Sequence, residues 1–326
     1  MSARWSLVLL VLVVAAGCAA QENDAPPPFA TVDWTEADPD PATDRPLDEV
    51  PASLADSGFD TLPKQPYEPR WKLWSDGAEK QRWIYLPAPI DNSNADYWRF
   101  PVGTRLWKQF TRDGVLVETR YMVKYGEADD AWLFIGFDGN GTPQPGGAQN
   151  VSGTGHDIPA RKTCLGCHAN VKSRVLGFSA FQLDYDGPWN LDDASAAGWF
   201  SSPLPDRHPH YPVPGNAQQQ AVLGYFHANC GHCHNSQSPL INRPMFRLET
   251  DHCGSLAGTR TYQSTVNVSG LSYGGATIIA KPGDPDHSII YTRMHSSDQK
   301  KKMPALGSEI PDAAAITMIR SWIANL

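Results

Sequence analysis

The chain has 326 residues, 41 % of them apolar and 19 % charged, enough apolar side chain to fill real cores and to exclude a wholly disordered chain. Thirty-five Asp and Glu against 27 Lys and Arg give a formal charge of −8, which excludes a general nucleic-acid binder. The acidity is local: eleven acidic residues but only two bases, Arg45 and Lys64, lie between Ala19 and Lys64.

The first seventeen residues read as an export signal. Arg4 supplies the positive start, and the apolar run from Leu7 to Ala16 is too short to span a bilayer. Ala15-Ala16-Gly17-Cys18 resembles a bacterial lipobox, in which the peptide is cut before the cysteine and the thiol is acylated. Ala15 stands where Leu is commoner, and ordinary cleavage near Ala20 is the alternative. Both predict an exported protein, in the first case lipid-anchored through Cys18 to the outer membrane, facing the periplasm. Residues 18–64 are acidic and Pro-rich and are expected to form an extended tether.

Residues 65–150 predict a β-rich N-terminal domain. Short β-prone runs (Arg82–Leu86, Val115–Tyr125, Ala131–Phe137) are separated by Gly, Asp and Asn turns, and six tryptophans between Trp71 and Trp132 supply core. Further on, Asn216 with Gln219 signals a helix start ahead of Val222, Tyr225 and Phe226. A final helix begins near Pro311-Asp312 and aligns Ile316, Ile319, Trp322 and Ile323 on one stripe.

Two motifs carry the chemistry. Cys164-Leu165-Gly166-Cys167-His168 and Cys230-Gly231-His232-Cys233-His234 both have the attachment pattern of c-type haem. Thiols two residues apart can add to the two vinyl groups of one porphyrin, and the following histidine then binds the iron as proximal ligand. The competing readings are one structural zinc held by both Cys-x-x-Cys pairs, or two local disulfides. Neither needs a histidine after both pairs. The expectation is two covalent haem c groups, the first within 151–214 and the second in a cytochrome c domain over 215–326. The fold class that follows is α+β multidomain, with a mainly α-helical dihaem region after the β-rich domain.

The sixth iron ligand decides between electron transfer and substrate binding. For the second haem the candidate is Met303, followed by Pro304 in an irregular segment before the final helix, where small cytochrome c domains carry their distal Met. Met294, in a run that reads as helix, is its competitor and more readily core. For the first haem the candidates are His156, His208, His210, His227 and Met122, or an open site. His227 alternatively bonds a haem propionate. Cys253 is left without a partner and reads as a free thiol.

Several stretches together resemble the bacterial exported dihaem c-type cytochromes often encoded beside, or fused to, quinoprotein-type (sorbosone-like) sugar dehydrogenases. They are Leu73–Lys80, Arg82–Pro87, Phe100–Thr104, Glu118–Arg120, Ile158-Pro159, Asn229–His234, Pro282–Pro285 and Met303–Ser308. Gln182–Tyr185 and Asn235-Ser236 depart from that pattern. The resemblance implies an electron carrier with proximal ligands His168 and His234, distal Met303, a periplasmic dehydrogenase or other redox protein as donor, and a separate acceptor. A dihaem peroxidase, needing an openable first haem with acid–base groups above it, and a haem-based sensor module are the alternatives.

Overall fold

The computed structural model describes residues 50–239, 243–298 and 300–326; the signal segment, Cys18 and the acidic stretch up to residue 49 lie outside them. Five strands, β1 (Gln65–Pro66), β2 (Glu79–Tyr85), β3 (Arg105–Arg112), β4 (Val115–Lys124) and β5 (Trp132–Asp138), form one antiparallel meander in sequence order. Asp113 and Gly114 both take positive φ between β3 and β4, the twist that a two-residue hairpin demands.

The sheet is covered on both faces. Ile84, Leu106, Met122 and Phe134 lie abreast across β2 to β5 and join a core with Phe178, Phe181, Leu223 and Leu248 from later in the chain. The opposite face carries Trp107, Tyr121, Leu133, Ile135 and Phe137, against which Val50, Leu54, Phe59 and Leu62 pack. Phe59 stands edge-on to Trp83 at 5.3 Å, and Trp107 Nε1 donates to Ser57 Oγ at 2.8 Å. The last residues of the expected tether are therefore a layer of the fold, because they supply the apolar side chains that this sheet face needs.

After the sheet come a hairpin of β6 (Ala148–Val151) and β7 (His156–Ile158), then α1 (Leu165–His168), α2 (Ala180–Leu183), α3 (Leu191–Ala196), α4 (Ala217–Asn229) and α5 (Arg260–Thr265). The chain ends with a hairpin of β8 (Ser269–Tyr273) and β9 (Ala276–Ile278), then α6 (Ile289–Met294) and α7 (Ala313–Ala324). This overturns the expectation of a mainly α-helical region behind the β-rich one. Among the described residues only α4, with 13 residues, and α7, with 12, exceed two turns. The cause is local chemistry. Pro203, Pro205, Pro209, Pro212 and Pro214 remove backbone donors and push their predecessors out of helical geometry. Nor does the α+β multidomain description hold: the described residues fall in one compact unit, with a core that mixes sheet and later segments.

The two longer helices are specified locally. Asn216 and Gln219 form a reciprocal capping box on α4, and the Asp312 carboxylate accepts from Ala315 N at 3.0 Å to start α7. α4 and α7 meet where Phe226 stands edge-on to Trp322 at 5.8 Å, in a core with Ile319 and Ile323. Trp71 lies directly over Gly224 of α4, where any Cβ would fall about 2.0 Å from the indole.

Candidate functional site

The first motif runs from a short 3-10 turn, Arg161–Cys164, into α1. The second begins where α4 ends and closes as a tight turn, Cys233 N and His234 N both donating to Cys230 O at 3.0 and 2.9 Å. Gly231 is required there: a Cβ would come within 2.7 Å of His227 O and 2.9 Å of Arg247 Cα.

The two motif histidines are prepared alike. His168 Nδ1 donates to Arg174 O at 2.5 Å, and His234 Nδ1 donates to Pro244 O at 2.9 Å. Burial pushes both imidazoles down to about 4, so both are neutral and each keeps its lone pair on Nε2. A ring tied at Nδ1 to a carbonyl, with Nε2 free, is the orientation and tautomer of a metal-ligating histidine.

The motifs also touch each other. Asn235 Nδ2 donates to Asn170 O at 3.0 Å, Cys233 Sγ lies 3.8 Å from Gly166 O, and the Cys167 thiol is bonded by Cys233 and His232. Burial raises the Cys164 thiol to about 11 and Cys230 to about 12; the five described cysteines are all free. Among the described residues no three of the motif ligand atoms converge within 4.8 Å, so the four thiols do not form a zinc cage.

Two adjoining clefts open beside this junction. The larger is bounded by Cys164 and His168 on one side and by Leu106, Met122 and Phe134 of the sheet on the other, with Phe134 4.7 Å from the His168 ring. The smaller is lined by Trp71, His227, His232 and Arg247. Arg82, Lys108 and Leu176 line both, and His234 lines neither.

The candidate sixth ligands separate clearly. His156 Nε2 is engaged by Glu118 Oε2 at 2.8 Å. His210 is bonded at both nitrogens, Nδ1 to Pro205 O at 2.8 Å and Nε2 to Asp192 Oδ1 at 2.9 Å, and His208 is exposed beside the same carboxylate. His227 Nδ1 accepts from Leu248 N at 3.0 Å, and burial holds the ring neutral, so its Nε2 carries a proton and can donate but not ligate. Met122 is the candidate that faces the cleft containing His168. Met303 is half-buried on the segment between α6 and α7, its N–H donating to Arg293 O at 3.0 Å, and the Arg293 charge also acts on His234. Met294 is a core residue of α6. Cys253 is packed against the main core, its thiol raised by burial to about 12.

The segment carrying Met303 is fastened from the far end of the sequence. The Asp76 carboxylate accepts from Glu309 N at 2.9 Å and Ile310 N at 2.8 Å, and Trp74 Nε1 donates to Ile310 O at 2.7 Å. Trp74 N meanwhile donates to Asn229 Oδ1 at 2.7 Å, beside the second motif.

Sequence reasoning missed the cations. Arg82, Lys108 and Arg120 are directly paired across β2, β3 and β4 on the face turned toward the first motif, with Lys80 next to them on β2. Alternation within each strand assigns a face, but register alone puts the three charges in one row. Searches against family models, curated proteins and solved structures found no match to this chain.

Proposed function

We propose that this chain is a dihaem c-type cytochrome that passes single electrons between periplasmic redox partners. The observation that carries the reading is the matched pair His168 and His234, each buried, neutral and tied at Nδ1 to a backbone carbonyl, each directly after two thiols two residues apart. The donor set fits covalent haem: thiols for the thioether bonds, an oriented imidazole for the iron, and for the first motif an open cleft bordered by Cys164 and His168. When bound, each haem supplies a one-electron iron couple. The chain's part is to hold the axial imidazoles, to exclude water with Phe134 and Phe246 beside them, and to place the two attachment motifs in contact.

In this reading Met303 is the distal ligand of the second haem. Its segment is held at two backbone points, Ile310 N on Asp76 and Met303 N on Arg293 O, which fixes the backbone that carries the thioether. An iron held by both His234 and Met303 would carry electrons rather than bind substrates. The donor proposed is a quinoprotein-type sugar dehydrogenase, and the anchor a lipid on Cys18.

The test is to express the full chain with a haem-attachment system and weigh the mature protein. Two haems per chain are expected, one lost in Cys164→Ser/Cys167→Ser and the other in Cys230→Ser/Cys233→Ser. The reduced protein is then exposed to carbon monoxide and peroxide. Binding in Met303→Ala but not in the wild type supports relay, whereas peroxide turnover by the wild type sinks it in favour of a peroxidase.

A further inference from the structure

We propose that the cross-strand row Arg82–Lys108–Arg120 is the carboxylate-binding wall of the first haem site, taking the two propionates of the haem held at Cys164 and Cys167. The inference rests on the dihaem reading above and makes the sheet one side of that haem site rather than a separate docking module.

Register is the first argument. Arg82 pairs with Lys108, and Lys108 with Arg120, so three cations stand side by side on one face. Like charges directly opposite one another destabilise a sheet unless something negative lies against them. The second is burial. Arg82 is only 6 % exposed, opens on both clefts, and has no hydrogen-bonded acidic partner among the described residues. A buried guanidinium without an anion is costly.

The anion is not supplied by the fold. Glu118 is the buried carboxylate beside the row, and it is already committed: Arg120 holds it through two bonds at 2.7 and 3.0 Å, and His156 through a third at 2.8 Å. Glu68, whose charge also reaches Arg82, has a solvent-exposed side chain paired with Lys72. That leaves Arg82 and Lys108, with Lys80 alongside, against no further buried acid. Burial together with the Arg82 and Arg120 charges brings Lys80 down to about 7 and Lys108 well below its usual range. A ligand with two carboxylates, entering the cleft that His168 and Cys164 border, meets this deficit in number, sign and place.

A soluble anion has the same chemistry, so the test separates the two sources. The midpoint potential of each haem is measured in the mature full-length protein by optical redox titration, for wild type, Arg82→Gln, Lys108→Gln and Arg82→Lys. Removing a positive charge favours the oxidised iron. Arg82→Gln is expected to change the reduced-to-oxidised ratio of one haem about tenfold, a fall of about 59 mV for a one-electron couple. Lys108→Gln should act in the same direction, and Arg82→Lys should restore most of the potential.

Inorganic phosphate should leave the wild-type potential unmoved. Unchanged potentials in both Gln variants, with two haems present, overturn the wall. So does a phosphate-induced shift in wild type that Arg82→Gln abolishes, which would assign the row to a soluble anion. If neither Gln variant matures, redox-difference infrared spectra of wild type decide: carboxylate bands of ion-paired propionates are expected, and bands of water-exposed propionates overturn the proposal. A wild type that carries no haem would instead refute the dihaem reading itself.

Discussion

Glu118 shows how one side chain can carry a local electrostatic balance. It is fully buried, and burial alone would raise its carboxyl, but the Arg120 guanidinium and the His156 bond outweigh that and hold it below the ordinary value. A carboxyl depressed in the folded state stabilises the protein above the unfolded pKa and loses that contribution as pH falls through the folded one. The melting temperature is therefore expected to drop as pH falls below the ordinary glutamate range. Glu118→Gln should flatten that acid limb and cost about 1–3 kcal/mol at neutral pH, because Arg120 and His156 lose a charged acceptor. Denaturant unfolding of both proteins at neutral and acid pH checks it; parallel acid limbs would remove Glu118 from the account.

Among elements, α4 and α7 divide their stability between ends and faces. Asn216→Ala removes one side-chain acceptor from the N-terminus of α4 and is expected to cost about 1 kcal/mol. Phe226→Ala empties the contact with Trp322 and Phe246 and should cost about 3–5 kcal/mol. Equal costs in urea titrations would contradict this ordering. These two helices were legible in the sequence because their signals are short-range: Asn216 with Gln219, Asp312, and the Ile319, Trp322, Ile323 stripe. Strands β2, β4 and β5 were legible for the same reason. The expected helical region fails in part at the proline-rich run between Pro203 and Pro214, where missing donors and fixed φ exclude helix. The motif histidines could be named from their neighbours alone. Arg82, Lys108 and Arg120 could not, since their meeting depends on how three strands align, which no single stretch encodes.

At the scale of the whole molecule, the described chain is one body with a sheet at its centre. Residues 50–62 cover one face and the segments carrying both Cys-x-x-Cys-His motifs lie on the other side, so neither face is free to act as a flat docking platform. Removing residues before 65 would bare Trp83, Trp107 and Tyr121 together. The shortened protein is expected to self-associate at concentrations where the full chain is monodisperse, measured by sedimentation velocity. A shortened chain that sediments like the full one would mean that this layer contributes little.

The strap from Trp71 to Asp76 has a consequence for the order in which the chain acquires its shape. It sits on α4 at Gly224 and Asn229 and is closed by Glu309 and Ile310, the Asp76–Ile310 bond spanning 234 positions of sequence. A contact so distant cannot form while the chain is still emerging, whatever the local preferences of residues 71–76. The strand pairings are local and need no such wait, whereas this clasp must close a loop of 234 positions and is the contact with the largest closure entropy. The clasp adds a second tie, beyond the packing of Phe226 on Trp322, between the segment bearing Met303 and the turn bearing Cys230 and Cys233. The clasp thus ties the segment bearing Met303 to the strap that rests on α4.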